Sequence, residues 1–306
     1  MINMWKRLFS RDKSLVEPPK FSLLHHYSGA PGEILYHYTT LAAAASIVHN
    51  DCFWLTEFQK TNDSTEYEYA KEQYINAYQN REVWIDDLVR FMTTANLIGL
   101  EANTHMLIGC LTQRPDDLSQ WRAYGDDGEG CVVGIDANWL EESAGVAIRR
   151  VNYDAKYLRE FVNVGLAVMQ TMYEKNPANA IELKEFCRFF LSDLYAFKHP
   201  SFRDEAEVRI SRMTIVNEDV TFGLVDNGGT AKDGTPTDPL VVKTRETAHG
   251  SARYVGLPLS SPNRRSSIRT IGFGPKCSDD QKQSVLDALE FVPGGITTWD
   301  SEIPYR

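Results

Sequence analysis

The sequence predicts one α+β domain. Strand-forming segments alternate with helical ones along the whole chain, no internal repeat recurs, and no linker divides it into equal halves. Apolar residues are 42% and charged residues 24% of the 306, enough material for a sizeable core and against wholesale disorder.

Residues 1–20 read as an N-terminal tail ahead of a domain over 21–306. Trp5, Leu8 and Phe9 beside Lys6, Arg7 and Arg11 can form a short membrane-surface turn, but a frayed tail is the favoured reading. After the Pro18-Pro19 break, ILYHYTT (34–40) alternates and reads as the first strand. Thr39 or Thr40 then caps a helix through LAAAASIVHN, with Leu41, Ala44, Ala45 and Val48 on one face, and CFWLT (52–56) follows as a strand. The segment from Asn62 opens a helix with a Thr65/Glu68 capping box and places Tyr67, Ala70, Tyr74 and Tyr78 on one stripe, read as core packing.

Strands MLIGCLT (106–112) and CVVGID (131–136) flank QRPDDLSQWRAYGDDGEG, an exposed loop or short helix whose Trp121 and Tyr124 suggest a binding site. Helical patterns fill 155–175 and 178–198, and SFRDEAEVRISRM returns to strand alternation. The composition of 227–239 marks an insertion or mobile loop. Strands at 252–259 and 268–274, a helix over 279–291 opened by Ser278 and Gln281, and a strand near 296–299 complete the chain.

Lys+Arg 32 against Asp+Glu 42 gives a net charge of −10, which argues against a basic nucleic-acid-binding surface over the whole protein. Five dispersed cysteines with no CxxC pair argue against a zinc ribbon or a disulfide framework. No apolar run reaches the length of a signal peptide or a membrane span, so a cytoplasmic location without a membrane partner is expected. A phosphate-binding loop, a GxSxG elbow, an HExxH pair and a dinucleotide glycine fingerprint are all missing, and the seven histidines show no ligand spacing; no metal is assigned.

The most informative short segment is Arg203 to Ile210. On a strand, Glu205, Glu207 and Arg209 share one face and Ala206, Val208 and Ile210 the other. The charged face is either a solvated edge or a site in a cleft. Read from the residues alone, the solvated edge is favoured, and His37, which alternates with Leu35 and Thr39, is in the same way read as a satisfied structural histidine.

Several motifs in order resemble the bacterial domain of unknown function 2971 family: Tyr36 to Tyr38, Asn62-Asp63 with Glu66, Trp121 with Tyr124, Gly130 to Asp136, Glu205 to Arg209, and Ser301 to Arg306. The Y-H-Y-T strand, short helix, aromatic strand and late Glu strand are also similar to the His-aromatic-Glu class of ADP-ribosyltransferases. That resemblance implies a split, mostly antiparallel sheet with helical insertions, and NAD as co-substrate. His37 would contact a ribose, with Tyr38 beside it, and Trp54 or a neighbouring aromatic would stack on nicotinamide. Glu207 or Glu205 would bind the 2′-hydroxyl, and the other Glu would serve the acceptor. Arg209 or Arg122 would neutralise the pyrophosphate, with Trp121 and Tyr124 bordering the cleft.

The expectation is transfer of ADP-ribose to a protein or nucleic acid, in a toxin or antiphage-defence effector that an antitoxin or regulatory protein can hold. It requires His37 and Glu207 to converge on one cleft, and it places Arg306 against an acidic group such as Glu66 or a phosphate. A non-catalytic sensor domain binding a nucleotide or protein is the main alternative. A magnesium-dependent nucleic-acid-processing enzyme using Asp63, Glu66, Glu205 and Glu207 is the second.

Overall fold

The computed structural model describes residues 27–58, 65–79, 103–176, 180–247, 250–260, 266–292 and 295–305. The tail over 1–20, Asp63, Arg306 and the side chains of the Thr65/Glu68 box lie outside what is described.

The first unit is β1 (Ile34–Thr39), α1 (Leu41–Asn50) and β2 (Cys52–Glu57). Thr40 caps α1 by accepting the Ala43 amide, and Asp51 closes it in the left-handed region at φ 46. Ala44 and Val48, which α1 turns inward, are buried. Then come α2 (Thr65–Gln79), β3 (Thr104–Thr112), α3 (Leu118–Tyr124) and β4 (Cys131–Asp136). The segment after β3 is thus a short helix, capped by the Asp117 carboxylate on the Ser119 and Gln120 amides. Next are α4 (Ala137–Ser143), β5 (Ala147–Arg150), α5 (Ala155–Lys175), α6 (Ala180–Leu194), β6 (Glu207–Val216) and β7 (Leu224–Asp226).

The second long helix stops at Leu194 instead of 198; Phe197 forms a bridge with Asn152, and the Lys198 amide donates to the Asn152 carbonyl at 3.1 Å. Residues 200–205 form a 3-10 turn with His199 as cap, and Ala206 at φ 45 sits between that turn and β6. The strand starts at Glu207.

Residues 227–239 contain a small hairpin, β8 (Gly229–Thr230) against β9 (Pro236–Thr237). The buried Arg212 guanidinium donates to Thr237 Oγ1 at 2.8 Å and to Asp226 Oδ2 at 2.5 Å, which ties the hairpin to β6. The chain continues through β10 (Val242–Thr247), β11 (Gly250–Pro258), β12 (Ile268–Phe273), α7 (Asp279–Leu289) and β13 (Thr297–Asp300). Ser278 and Gln281 form the expected capping box of α7.

Eleven strands form one sheet among the described residues, in the order β10-β11-β2-β3-β1-β4-β12-β13, with β6 also on β3 and with β5 and β7 on β6. All pairings are antiparallel except β12 with β13, so the sheet is mixed and mostly antiparallel. One face buries Leu35, Phe53, Leu55, Leu107, Val133, Val208 and Ile210 in a core that includes α1 and α7 residues. A second core takes Phe58, Met106 and Ile108 against α2, α5 and α6, and Ala70 and Tyr74 of the tyrosine stripe are buried in it.

The sheet divides along β3. The start of β3 pairs with β2, Leu107 aligned with Glu57 and Ile108 with Thr56, whereas its end meets β1 at Tyr36 and Thr112 alone. Strand β1 instead pairs with β4 from Ile34/Asp136 to Thr39/Cys131. Between these attachments β1 and β2 diverge from β3 and leave a fork.

The C-terminal segment packs on α3. Ser301 Oγ donates to Asp116 Oδ1 at 2.7 Å, the Glu302 amide to Asp116 Oδ2 at 3.2 Å, and Tyr305 Oη to Asp127 Oδ1 at 2.6 Å. Lys276 also bonds Asp127, at 2.5 Å, and lies 4.3 Å over the Tyr305 ring. Deleting residues 303–306 is therefore expected to lower the melting temperature by several degrees, since about 1 kcal/mol moves the midpoint of a chain this size by roughly 2–4 °C. An unchanged melting curve would show that the Tyr305 contacts contribute nothing to stability.

Candidate active site

A cavity of about 580 Å³ fills the fork. Its walls come from β1 and α1, from β2, from the end of β3, from Tyr124 of α3, from Lys198, Glu205 and Glu207, and from the end of β10.

His37 reaches the cavity because β1 has left β3 at that point, and its Nδ1 contacts the Cys110 carbonyl of β3 across the gap at 2.9 Å. A carbonyl only accepts, so Nδ1 carries the proton and the neutral ring keeps Nε2 as an acceptor. The ring packs edge-on against Phe53 at 4.8 Å. Phe53 fits this place because Gly109 lies beneath it; a Cβ there would stand 2.2 Å from Phe53 Cε1. Gly109→Ala is expected to cost roughly 1–3 kcal/mol through overpacking and to narrow the fork, measurable as a lower melting temperature. Burial lowers the His37 pKa below its ordinary 6.5, against the raising effect of the Cys110 carbonyl. Any ligand binding through His37 should therefore keep its affinity from pH 8 down to about 6.5, read by calorimetry.

The two glutamates come together on the other side of the fork. Arg209 grips Glu207 through Nε to Oε1 at 2.6 Å and Nη2 to Oε2 at 2.9 Å, while the Glu207 amide donates to Tyr153 Oη at 3.0 Å. Lys198 Nζ lies 3.4 Å from Glu207 Oε2 and also bonds Glu205 Oε2. Tyr124 Oη donates to Glu205 Oε1 at 2.7 Å, and Thr112 Oγ1 holds the Glu205 carbonyl at 2.7 Å. Burial pushes the Glu207 carboxyl pKa up, but the Arg209 charge and hydrogen bonds, the Lys198 charge and the Cys110 thiol outweigh it. The carboxyl stays well below the ordinary range and therefore ionised. For Tyr124, burial and the Glu205 carboxylate push the phenol far above its ordinary value, so it remains a donor.

The carboxylate face is thus a buried ion-pair cluster rather than a solvated edge: Glu207 is 5% and Arg209 3% exposed. Glu205 joins it through the left-handed turn at Ala206, not through strand alternation. His37 follows Leu35 on the α1 face of the sheet, and Glu207 lies on the face opposite Val208. They line one cavity because it runs through the fork.

Other expected site residues are distributed unevenly. Trp54 lines the cavity, is 40% exposed, and packs on Tyr254 with ring centroids 4.5 Å apart and the planes tilted by 37°. Tyr38 also borders it, but its hydroxyl donates to the Arg114 carbonyl at 3.1 Å and accepts the Asp117 amide at 3.0 Å. Trp121 is fully buried against Tyr38 at 4.6 Å, with Nε1 donating to Asp116 at 2.7 Å; it anchors α3 and does not border the cavity. Arg122 faces the Tyr305 ring at 6.0 Å, and Arg209 is committed to Glu207 and the Tyr195 carbonyl. Neither lines the cavity.

Two cations that line the cavity are not singled out by the sequence pattern. Lys198 falls at the end of a helical period that the chain abandons at Leu194. Arg245 lies on β10, an edge strand whose exposed residues hide its alternation; its guanidinium sits 5.4 Å over Trp54 and donates to Thr56 Oγ1 at 3.0 Å. Among the described residues no group of three or more His, Cys, Asp or Glu is arranged to hold a metal ion.

The fold and cavity define an α+β protein with a forked, mostly antiparallel sheet. Residues 120–210 match the family model described as a protein of unknown function (DUF2971). That stretch carries Tyr124, Lys198, Glu205, Glu207 and Arg209, whereas His37, Trp54 and Arg245 lie outside it. No curated protein and no solved structure matched the chain. Among the described residues no helix is long and apolar enough to cross a membrane.

Proposed function

We propose that the fork cavity binds NAD and that the chain transfers ADP-ribose from it to a macromolecular acceptor. The observation that carries this reading is the meeting of His37, Trp54, Glu205 and Glu207 in one cavity across a divided sheet. Its shape and residue types are those the resemblance to His-aromatic-Glu ADP-ribosyltransferases implies.

In this reading His37 Nε2 accepts from a ribose hydroxyl and Trp54 stacks on nicotinamide. Arg245, rather than Arg209 or Arg122, meets the pyrophosphate. The bond from ribose C1′ to the nicotinamide nitrogen breaks, and its electron pair neutralises the pyridinium. The ionised Glu207, next to the 2′-hydroxyl, stabilises the positive charge developing on the ribose. The acceptor nucleophile then bonds C1′ and its proton passes to Glu205, which Tyr124 and Lys198 hold in place. Tyr124→Phe removes that bond and is expected to cost about 1 kcal/mol of stability and to slow transfer more than nicotinamide release. Equal slowing of both steps would remove Glu205 from the acceptor step. A cytoplasmic toxin or antiphage-defence effector, restrained by a partner protein, fits such an activity.

A second reading has a specific observation in its favour. Arg209 already engages both Glu207 oxygens, as suits a sensor that binds a nucleotide without cleaving it. Incubation with labelled NAD separates the two. Nicotinamide release with label in a protein, DNA or RNA pool supports transfer, and calorimetric binding without release supports the sensor. Release that disappears with a chelator would redirect the reading to metal chemistry.

A further inference from the structure

Beside the cavity, where β10, β11 and β2 lie together, one face of the sheet carries exposed side chains among the described residues. Val242, Val255, Leu257, Phe53 and Leu55 turn into the core. On the opposite face Lys243 aligns with Tyr254, Tyr254 with Thr56, and Gly256 with Trp54. Lys243, Arg245 and Trp54 are exposed and Tyr254 half-buried, so the strands present two cations and two aromatic rings over about 10 Å. Gly256 makes room for the Cys52 side chain beside Trp54; a Cβ there would stand 2.5 Å from Cys52 Sγ. Among the described residues no carboxylate pairs with Lys243 or Arg245, although the chain carries a net charge of −10.

We infer that this face docks a single-stranded nucleic acid, which is the acceptor of ADP-ribose in the reading above, on which that second half rests. Unpaired bases stack on Tyr254 and phosphates meet Lys243, which leaves Trp54 and Arg245 to the bound NAD. A duplex keeps its bases in the helix and offers this flat face phosphates alone, so the Tyr254 ring selects a single strand. Trp54 and Arg245 stand at the border with the cavity, which carries the bound strand to the glutamates. Local cations on an acidic protein restrict polyanion binding to this patch.

The test is fluorescence anisotropy of labelled oligonucleotides of about ten nucleotides, DNA and RNA, single- and double-stranded, with the full chain. We expect a single strand to bind, with affinity falling as salt rises from about 50 to about 200 mM. Tyr254→Ala should weaken binding about tenfold or more. Lys243→Glu should weaken it similarly while leaving nicotinamide release unchanged, because Lys243 does not line the cavity. Absence of single-strand binding, duplex binding as tight as single-strand binding, or equal competition by polyglutamate overturns the docking surface. If the strand binds but nicotinamide is never released, the docking surface stands and the transferase reading fails. If nicotinamide is released but no strand binds, the transferase reading stands and the docking surface fails.

Discussion

Glu207→Gln should reduce nicotinamide release by about 10²–10³-fold, the usual effect of removing one electrostatic stabiliser from a transition state. Glutamine retains the shape and a hydrogen-bonding oxygen, so NAD binding should survive better than turnover. The variant should also be less stable, by about 3 kcal/mol, because Arg209 and Lys198 lose the charge that compensates their burial. Against a total stability of roughly 5–15 kcal/mol the chain still folds. Activity must therefore be compared at a temperature where circular dichroism shows both proteins folded. Adding Arg209→Gln to Glu207→Gln removes the stranded charge; it should recover part of the lost melting temperature and none of the activity. Recovery of activity would assign Glu207 a purely structural role.

The pH dependence has a definite sign. The native Glu207 pKa is depressed, so its contribution to stability is present above the ordinary value of 4.5 and is lost as pH falls below it through the native value. The melting difference between wild type and Glu207→Gln should shrink over that acid interval. A difference that stays constant there would contradict the ion-pair account.

Trp121→Ala is the second substitution with a large expected effect. The ring is fully buried, packs on Tyr38, and donates to the same Asp116 oxygen that accepts from Ser301. Truncation should cost about 3–5 kcal/mol. Because α3 presents Tyr124 to Glu205 and the C-terminal segment lies over α3, two readouts should move with the melting temperature. Protease cleavage after Lys276 or within 297–305 should accelerate, and the Tyr124–Glu205 contact should loosen. A large stability loss without faster cleavage would mean that the C-terminal segment is held independently of Trp121.

The sequence is most legible where one face of an element is buried and its period is plain. Strand β1, helix α1, β2, β4, β12 and the α7 capping box follow directly from alternation or cap chemistry. β10 is not legible, because only Val242 is buried along it; without that strand Arg245 cannot be placed in the site. α4 is only two turns long, and β5 and β7 are short. Glu205 shows a subtler failure. Strand alternation puts it beside Glu207, and it is beside Glu207, but a 3-10 turn and a left-handed alanine place it there. Trp121 illustrates the reverse, since an aromatic in a polar segment suggests a ligand surface and its indole instead fills the space between α3 and β1.

The fork also sets how the sheet should open. Strand β1 is hydrogen-bonded along β4 and touches β3 at the Tyr36–Thr112 pair, whereas β3 is zipped along its length to β6. Beyond Tyr36 on β1, and over Gly109 to Leu111 on β3, the two edges that face the fork are not paired with each other. Deuterium should enter along those edges by small local fluctuations, while the β1–β4 and β3–β6 ladders exchange only through larger openings. The two halves then behave as separate cooperative units hinged on β3, and occupancy of the cavity would appear as protection spreading across the seam between them.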